Sequence, residues 1–202
     1  MQLIPAISDA DGPEPRSYTY ILKPEEEQQY RNKMLALAAD EIHTRARKLA
    51  SETGASPQPT PRPGKSTGKS AAKPAQPSFE DVQLRVFDLS ASNEPVLVLT
   101  ARARMPQISG PKQSSASELQ YIIALVARED INGDFHKVFS NVTDTQHLDV
   151  LPRYELIDAV DADGDGRGEL LFRQVSDAGS AYVVYRVIGD QLWPLFQGTP
   201  EP

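Results

Sequence analysis

The chain has 202 residues, and its 28 acidic and 21 basic side chains give a formal net charge of −7. This charge opposes nonspecific binding to nucleic acid or to an anionic membrane surface. The sequence contains no cysteine, which excludes disulfides, iron–sulfur clusters and a cysteine nucleophile. No apolar run approaches the roughly 20 residues of a membrane helix, so we expect no membrane span. Residues 1–5 lack the features of a signal peptide, so we expect no signal peptide either.

Residues 1–23 show no clear periodicity and are predicted to be irregular, apart from a short extended segment at Tyr18–Leu22. An amphipathic helix is predicted at residues 24–50, because Pro24 suits a first helical position. Acidic side chains follow Pro24 and basic ones come shortly before Leu49, as the helix dipole favours. Its apolar residues recur every three or four positions: Tyr30, Met34, Leu37, Ala38, Ile42, Ala46 and Leu49. We expect this stripe to dock on the rest of the domain or on another chain.

Residues 54–77 contain six prolines and three glycines but no large aliphatic or aromatic residue. Such a segment buries too little apolar surface to offset the entropy of ordering it. It is predicted to be a disordered linker. Its basic residues are not interleaved with aromatic ones, so we expect no nucleic-acid binding.

A β domain is predicted at residues 78–198, because short runs rich in β-branched and aromatic residues alternate with turn signals. Asn132-Gly133 is typical of a two-residue hairpin, Gly189-Asp190 lies in a similar position, and Ser109–Ser117 is predicted to be a loop. The eight predicted strands are Val82–Asp88, Pro95–Arg104, Leu119–Arg128, Phe135–Ser140, Tyr154–Val160, Glu169–Val175, Ala181–Ile188 and Gln191–Phe196.

The strands form two repeat-like units, at about residues 79–140 and 154–198. For example, Glu94–Leu99 resembles Glu169–Phe172, and the similar segments occur in the same order in both units. The fold class is therefore predicted to be mainly β, with two four-stranded antiparallel meanders and one N-terminal helix. The meanders form a sandwich or part of a propeller. The alternative is eight unrelated strands.

The second unit carries an acidic loop that the first unit lacks. Its carboxylates and the carbonyl of Arg167 alternate along the chain as in calcium loops: Asp161, Asp163, Asp165, Arg167 and Glu169. Glycines lie between them and are expected to give the backbone positive φ angles: Gly164, Gly166 and Gly168. A divalent cation would relieve the repulsion between converging carboxylates, and oxygen ligands favour Ca²⁺.

The loop is not an EF-hand, because position 12 is Phe172 instead of a bidentate Glu, and strands flank it. Over Tyr154–Phe172 it resembles the calcium loop of integrin-alpha-type FG-GAP and VCBS repeats, Asp-x-Asp-Gly-Asp-Gly-x-x-Asp. The resemblance implies a loop that joins two strands of a propeller blade and stabilises it with Ca²⁺. Glu169 stands where those families have the last Asp. The C-terminal half also resembles the end of long secreted bacterial proteins.

These patterns predict a non-enzymatic, calcium-stabilised β module that binds a protein partner or the remainder of a longer chain. One alternative is a metal-dependent hydrolase that uses the same acidic loop, which would need a pocket lined by Asp158, Asp161 and His147. The other is an interaction scaffold that acts through helix 24–49. Because calcium is abundant outside the cytoplasm, an extracytoplasmic location is favoured.

Overall fold

The structure is a computed structural model that describes residues 17–52, 76–105 and 119–201. It is mainly β, with one helix and two four-stranded antiparallel sheets, as predicted. In chain order the elements are α1 (Pro24–Glu52), β1 (Ser78–Phe87), β2 (Val96–Arg104), β3 (Gln120–Glu129), β4 (Phe135–Asp144), β5 (Arg153–Val160), β6 (Glu169–Ser176), β7 (Gly179–Ile188) and β8 (Gln191–Gln197).

Both sheets are simple meanders, with strand orders β1-β2-β3-β4 and β5-β6-β7-β8. We call them the first sheet and the second sheet. The two predicted units correspond to these sheets, and the first strand begins at Ser78, four residues before the predicted Val82. Whether the units are repeats of one ancestral sequence stays a prediction.

The first sheet is the middle layer of three, because both of its faces are buried. On β2, Leu97 and Leu99 belong to a core shared with α1, whereas Val96 and Val98 belong to a core shared with the second sheet. Burial of both faces explains why β2 reads as a continuous apolar run instead of an alternating one. The second sheet contributes Phe172, which is fully buried, to the core between the sheets.

Helix α1 docks on the first sheet through the predicted stripe. Met34, Ala38 and Ile42 are fully buried, and the rest of the stripe packs around them. The apolar face that could have bound another chain is therefore used within the domain. The sequence suggested that the basic side chains before Leu49 lie in the last turn of the helix. They do not, because the helix extends to Glu52.

The segment before α1 lies along the free edge of β1. Thr19 forms an isolated bridge with Phe87, Tyr20 donates a backbone hydrogen bond to Val86, and Tyr18 accepts one from Asp88. Tyr18 is 5% exposed and belongs to the core between the sheets. The predicted extended segment is thus present in a short form, and it covers part of an edge strand.

Two predicted turns differ in length. Gly189-Asp190 forms a two-residue turn, since Ile188 pairs with Gln191. Asn132-Gly133 lies instead in a longer turn between β3 and β4, so the two-residue prediction there is wrong. The side chain of Asp130 accepts hydrogen bonds from the backbone N–H groups of residues 132 and 134 and stabilises this longer turn.

The predicted loop Ser109–Ser117 and almost all of the predicted linker 54–77 lie outside the described residues. So do residues 1–16 of the segment predicted to be irregular. In the described part of the chain, no helix is long and apolar enough to cross a membrane.

Candidate metal centre

The acidic loop joins β5 to β6 at one end of the second sheet. Gly164 and Gly166 have φ angles of 77° and 82°, as predicted, so the backbone turns twice. Each turn presents an N–H group to the carboxylate of Asp161, which accepts from Gly164 at 2.7 Å and from Gly166 at 2.9 Å. The chain therefore wraps around Asp161, the first ligand position of the predicted loop.

Gly168 has a different role from the predicted one, because its φ angle is not positive. A Cβ atom at this position would lie 2.9 Å from the ring of Tyr18 and 3.0 Å from Leu89. Its N–H group also donates to the carbonyl of Leu89 at 2.7 Å. Gly168 is thus the point where the loop contacts the β1–β2 connection and the N-terminal segment.

Three of the four predicted carboxylates converge. One oxygen of each of Asp161, Asp163 and Glu169 lies within 4.8 Å of the other two. Asp165 is not part of this triad, but its carboxylate lies beside it and accepts the N–H of Arg167 at 2.9 Å. Arg167 is exposed, and the orientation of its carbonyl towards a metal stays a prediction.

Glu169 is the buried member of the group, with no exposed side-chain surface. Its Oε2 accepts the N–H of Ala162 at 2.8 Å, which ties the end of the loop to its beginning. Its Oε1 faces β7. Because Glu169 is the first residue of β6, the sheet itself holds this carboxylate in place.

Arg186 on β7 completes the cluster, and the sequence analysis did not predict it. Its Nη2 lies 2.6 Å from Glu169, 2.8 Å from Asp163 and 3.1 Å from Asp165. The hydrogen bond to Glu169 raises the pKa of Arg186 above its ordinary value, and the charge of Glu169 and the hydrogen bond and charge of Asp163 add to this effect. A signal was present in the sequence, since Arg186 is the single charged residue in the strand 179–188.

Register places Arg186 beside Glu169. Leu170 pairs with Tyr185, so the next residues along the two antiparallel strands, Glu169 and Arg186, share the opposite face of the sheet. The four carboxylates and this guanidinium together carry a formal charge of −3. The cluster thus retains an excess of negative charge, and its exposed members are open to a hard cation.

The residues required by the hydrolase alternative do not meet in a described cavity. Asp158 binds Arg85 at 2.6 Å, and His147 binds the buried Asp144 at 2.6 Å in the turn after β4. Three cavities of the described chain are lined by other residues. The one nearest the acidic loop measures about 220 Å³ and includes Arg128, Arg167 and Arg186.

The chain was compared with protein-family models, with curated proteins and with solved structures. None of them matches.

Proposed function

We propose that this chain is a non-enzymatic β module whose loop Asp161–Glu169 binds Ca²⁺ in a structural role. The observation that carries the proposal is the convergence of Asp161, Asp163 and Glu169 within 4.8 Å. Carboxylate oxygens are the ligands that Ca²⁺ prefers, and the loop's resemblance to FG-GAP and VCBS calcium loops agrees with them.

A structural role follows from what the loop connects. Glu169 begins β6, and the neighbouring Gly168 contacts Leu89 and Tyr18 on the other side of the domain. A cation that orders the loop would therefore stabilise the contact between the two sheets. No helix pair flanks the loop, so the opening motion of an EF-hand switch has no counterpart here.

Arg186 is the internal competitor of the metal in this proposal. Its guanidinium already neutralises part of the charge on Asp163 and Glu169. Ca²⁺ would take over these carboxylates, and Arg186 would turn towards solvent or towards Asp165. The affinity of the loop for Ca²⁺ is consequently lower than four carboxylates alone would provide.

The test is thermal unfolding of the full chain in about 2 mM Ca²⁺ or in excess chelator. A site with a dissociation constant of about 20 μM would then gain about 2.7 kcal/mol, which corresponds to roughly 5–10 °C. Asp163→Asn should abolish this gain, and Arg186→Gln should enlarge it by removing the competitor. Asp190→Asn, on the β7–β8 turn, is the matched control and should keep the full gain.

An equal melting temperature with and without Ca²⁺, for both the unaltered chain and Arg186→Gln, would refute the proposal. The loop would then be an acidic turn held by Arg186. A Ca²⁺-dependent gain fits a protein that works where calcium is millimolar, so we include an extracytoplasmic location in the proposal.

A further inference from the structure

A cavity lies between the two sheets, at the end of the domain that carries the acidic loop. It measures about 220 Å³, and four separate parts of the chain form it. These parts are the β1–β2 connection with the start of β2, the end of β3, the end of the acidic loop, and the end of β7 with the turn that follows. None of the four carboxylates proposed as calcium ligands lines this cavity, so it is a separate site.

The cavity is lined by three arginines, Arg128, Arg167 and Arg186. They come from β3, from the acidic loop and from β7, so only the folded domain brings them together. Among the described residues of the lining, Glu94 is the only acidic one. With three positive charges and one negative charge, the lining carries a formal charge of +2 in a chain whose net charge is −7. This local reversal of sign favours an anionic ligand.

Acidic side chains hold two of these arginines from outside the cavity. Asp190 binds Nε of Arg128 at 2.7 Å, and Glu169 binds Nε of Arg186 at 2.9 Å. Neither carboxylate lines the cavity itself, so the ion pairs orient the two guanidinium groups without filling the space between them. Because these groups are already fixed, a ligand that binds them costs less side-chain entropy.

The three guanidinium groups keep donors that no described residue accepts. On Arg128 these donors are Nη1 and Nη2, because Asp190 binds only Nε. On Arg186 it is Nη1, since Nε and Nη2 bind carboxylates of the acidic loop. Within the described chain, the side chain of Arg167 forms no hydrogen bond or ion pair, although Asp165 lies two residues before it. An oxyanion is the ligand that satisfies several guanidinium donors at once.

Another part of the lining is apolar. Leu89 and Val96 are almost fully buried, and Val187 packs against the same core. A bare ion would leave this surface in contact with water, whereas the carbon atoms of an organic phosphate would cover it. The cavity is smaller than the roughly 300 Å³ at which pockets for drug-sized ligands begin, so its size suits a small molecule and excludes a nucleotide.

We propose that this cavity binds the phosphate group of a small phosphate ester. At pH 7 such a group carries a charge of about −1.5 to −2 and three acceptor oxygens, which matches a lining of charge +2 with three arginines. A carboxylate has a single charge and two oxygens, so it matches less well. The expected dissociation constant is on the order of 1 mM, because the arginines are partly exposed and water competes for their donors.

The experiment is an NMR titration of the nitrogen-15-labelled full chain at about pH 7.5. Metal-free buffer is used, so the outcome does not depend on calcium. The probes are glycerol phosphate, inorganic phosphate and acetate up to about 20 mM, with sodium chloride added to keep the ionic strength constant. The amide signals of Gly168 and Gly189, which line the cavity, should shift and saturate with glycerol phosphate. Inorganic phosphate should bind several-fold more weakly, and acetate more weakly still.

Arg167→Gln should weaken the binding of glycerol phosphate at least about 10-fold, since it removes charge-assisted hydrogen bonds. The matched control is Arg102→Gln, which removes the same charge from a side chain that is 49% exposed. Arg102 lies near the opposite end of β2 from Val96, so this variant should bind glycerol phosphate as the unaltered chain does. Circular dichroism checks that both variants are folded.

Three results would overturn the proposal. The first is the absence of saturable shifts with glycerol phosphate up to about 20 mM. The second is acetate or inorganic phosphate binding as tightly as the ester, which would mean that the site does not recognise a phosphate ester. The third is an equal loss of binding in Arg167→Gln and Arg102→Gln, which would mean a response to net charge and not to this cavity.

Discussion

Replacing Glu169 by Gln tests whether the buried ion pair with Arg186 holds the acidic loop on the sheet. Glu169 accepts hydrogen bonds at 2.6 and 2.9 Å from Arg186 and at 2.8 Å from Ala162. A Gln has one acceptor oxygen, so its NH₂ group must face either the guanidinium or the Ala162 N–H, both of which are donors. The variant loses charge-assisted bonds and buries an unsatisfied donor at the same time.

We expect Glu169→Gln to lower the free energy of unfolding by about 3 kcal/mol, near the lower end of the range for removing one partner of a buried pair. In a chain of this length that corresponds to a melting temperature lower by about 10 °C. The assay is urea or thermal unfolding in chelator, so that no metal contributes. The loss of unfolding free energy is expected because the side chain of Glu169 is fully buried, so water cannot replace the hydrogen bonds that the variant loses.

Asp165→Asn is the control, because Asp165 touches the same guanidinium at 3.1 Å but its side chain is 39% exposed. Exposed ion pairs contribute at most about 1 kcal/mol, so this variant should remain close to the unaltered chain. If Glu169→Gln is as stable as Asp165→Asn, burial does not make the Glu169 pair special and the reasoning is wrong.

Two further predictions concern packing and pH. Gly168→Ala should lower the free energy of unfolding by about 1–3 kcal/mol, because the new methyl group overpacks against Tyr18. In a double-mutant cycle measured by urea unfolding, this loss should be smaller when Tyr18 is also replaced by Leu. Hydrogen bonds from the Asp134 N–H and then His136 lower the pKa of Asp130 to about 2. Because this value lies below the ordinary 3.8, Asp130 adds stability above about pH 4 that is lost as the pH falls towards 2. Asp130→Asn keeps the accepting oxygen, so its unfolding curves should depend less on pH in this range, and an unchanged slope would contradict the assignment.

The fold could be predicted in outline because local patterns and tertiary packing agree. The stripe that includes Met34 and Ile42 predicted the helix, and these residues are buried where the helix meets the first sheet. The eight strand predictions correspond to the eight strands, with ends that differ by a few residues. Both meanders follow from short connections between consecutive antiparallel strands.

Sequence reasoning failed at two glycines, once because of a contact with a distant residue and once because of a local turn. Gly168 was expected to have a positive φ together with Gly164 and Gly166, but the ring of Tyr18 is what requires a glycine there. Asn132-Gly133 was assigned a tight hairpin, but Asp130 binds the backbone of a longer turn. The contact with Tyr18 cannot be read from neighbouring residues, whereas Asp130 is a local turn signal that lies two residues before Asn132.

Arg186 shows why the acidic loop could be predicted only in part. The alternation of acids and glycines is local, so the carboxylates could be placed together from the sequence. The cation that they contact comes from a neighbouring strand, and only the pairing of Leu170 with Tyr185 brings it beside Glu169. Since Glu169 is buried, it needs a positive partner in the folded state whether or not calcium is present. Arg186 supplies that partner, so the domain can fold before any metal binds. Calcium would then replace Arg186 as the positive partner of Glu169 and would join this carboxylate to Asp161 and Asp163.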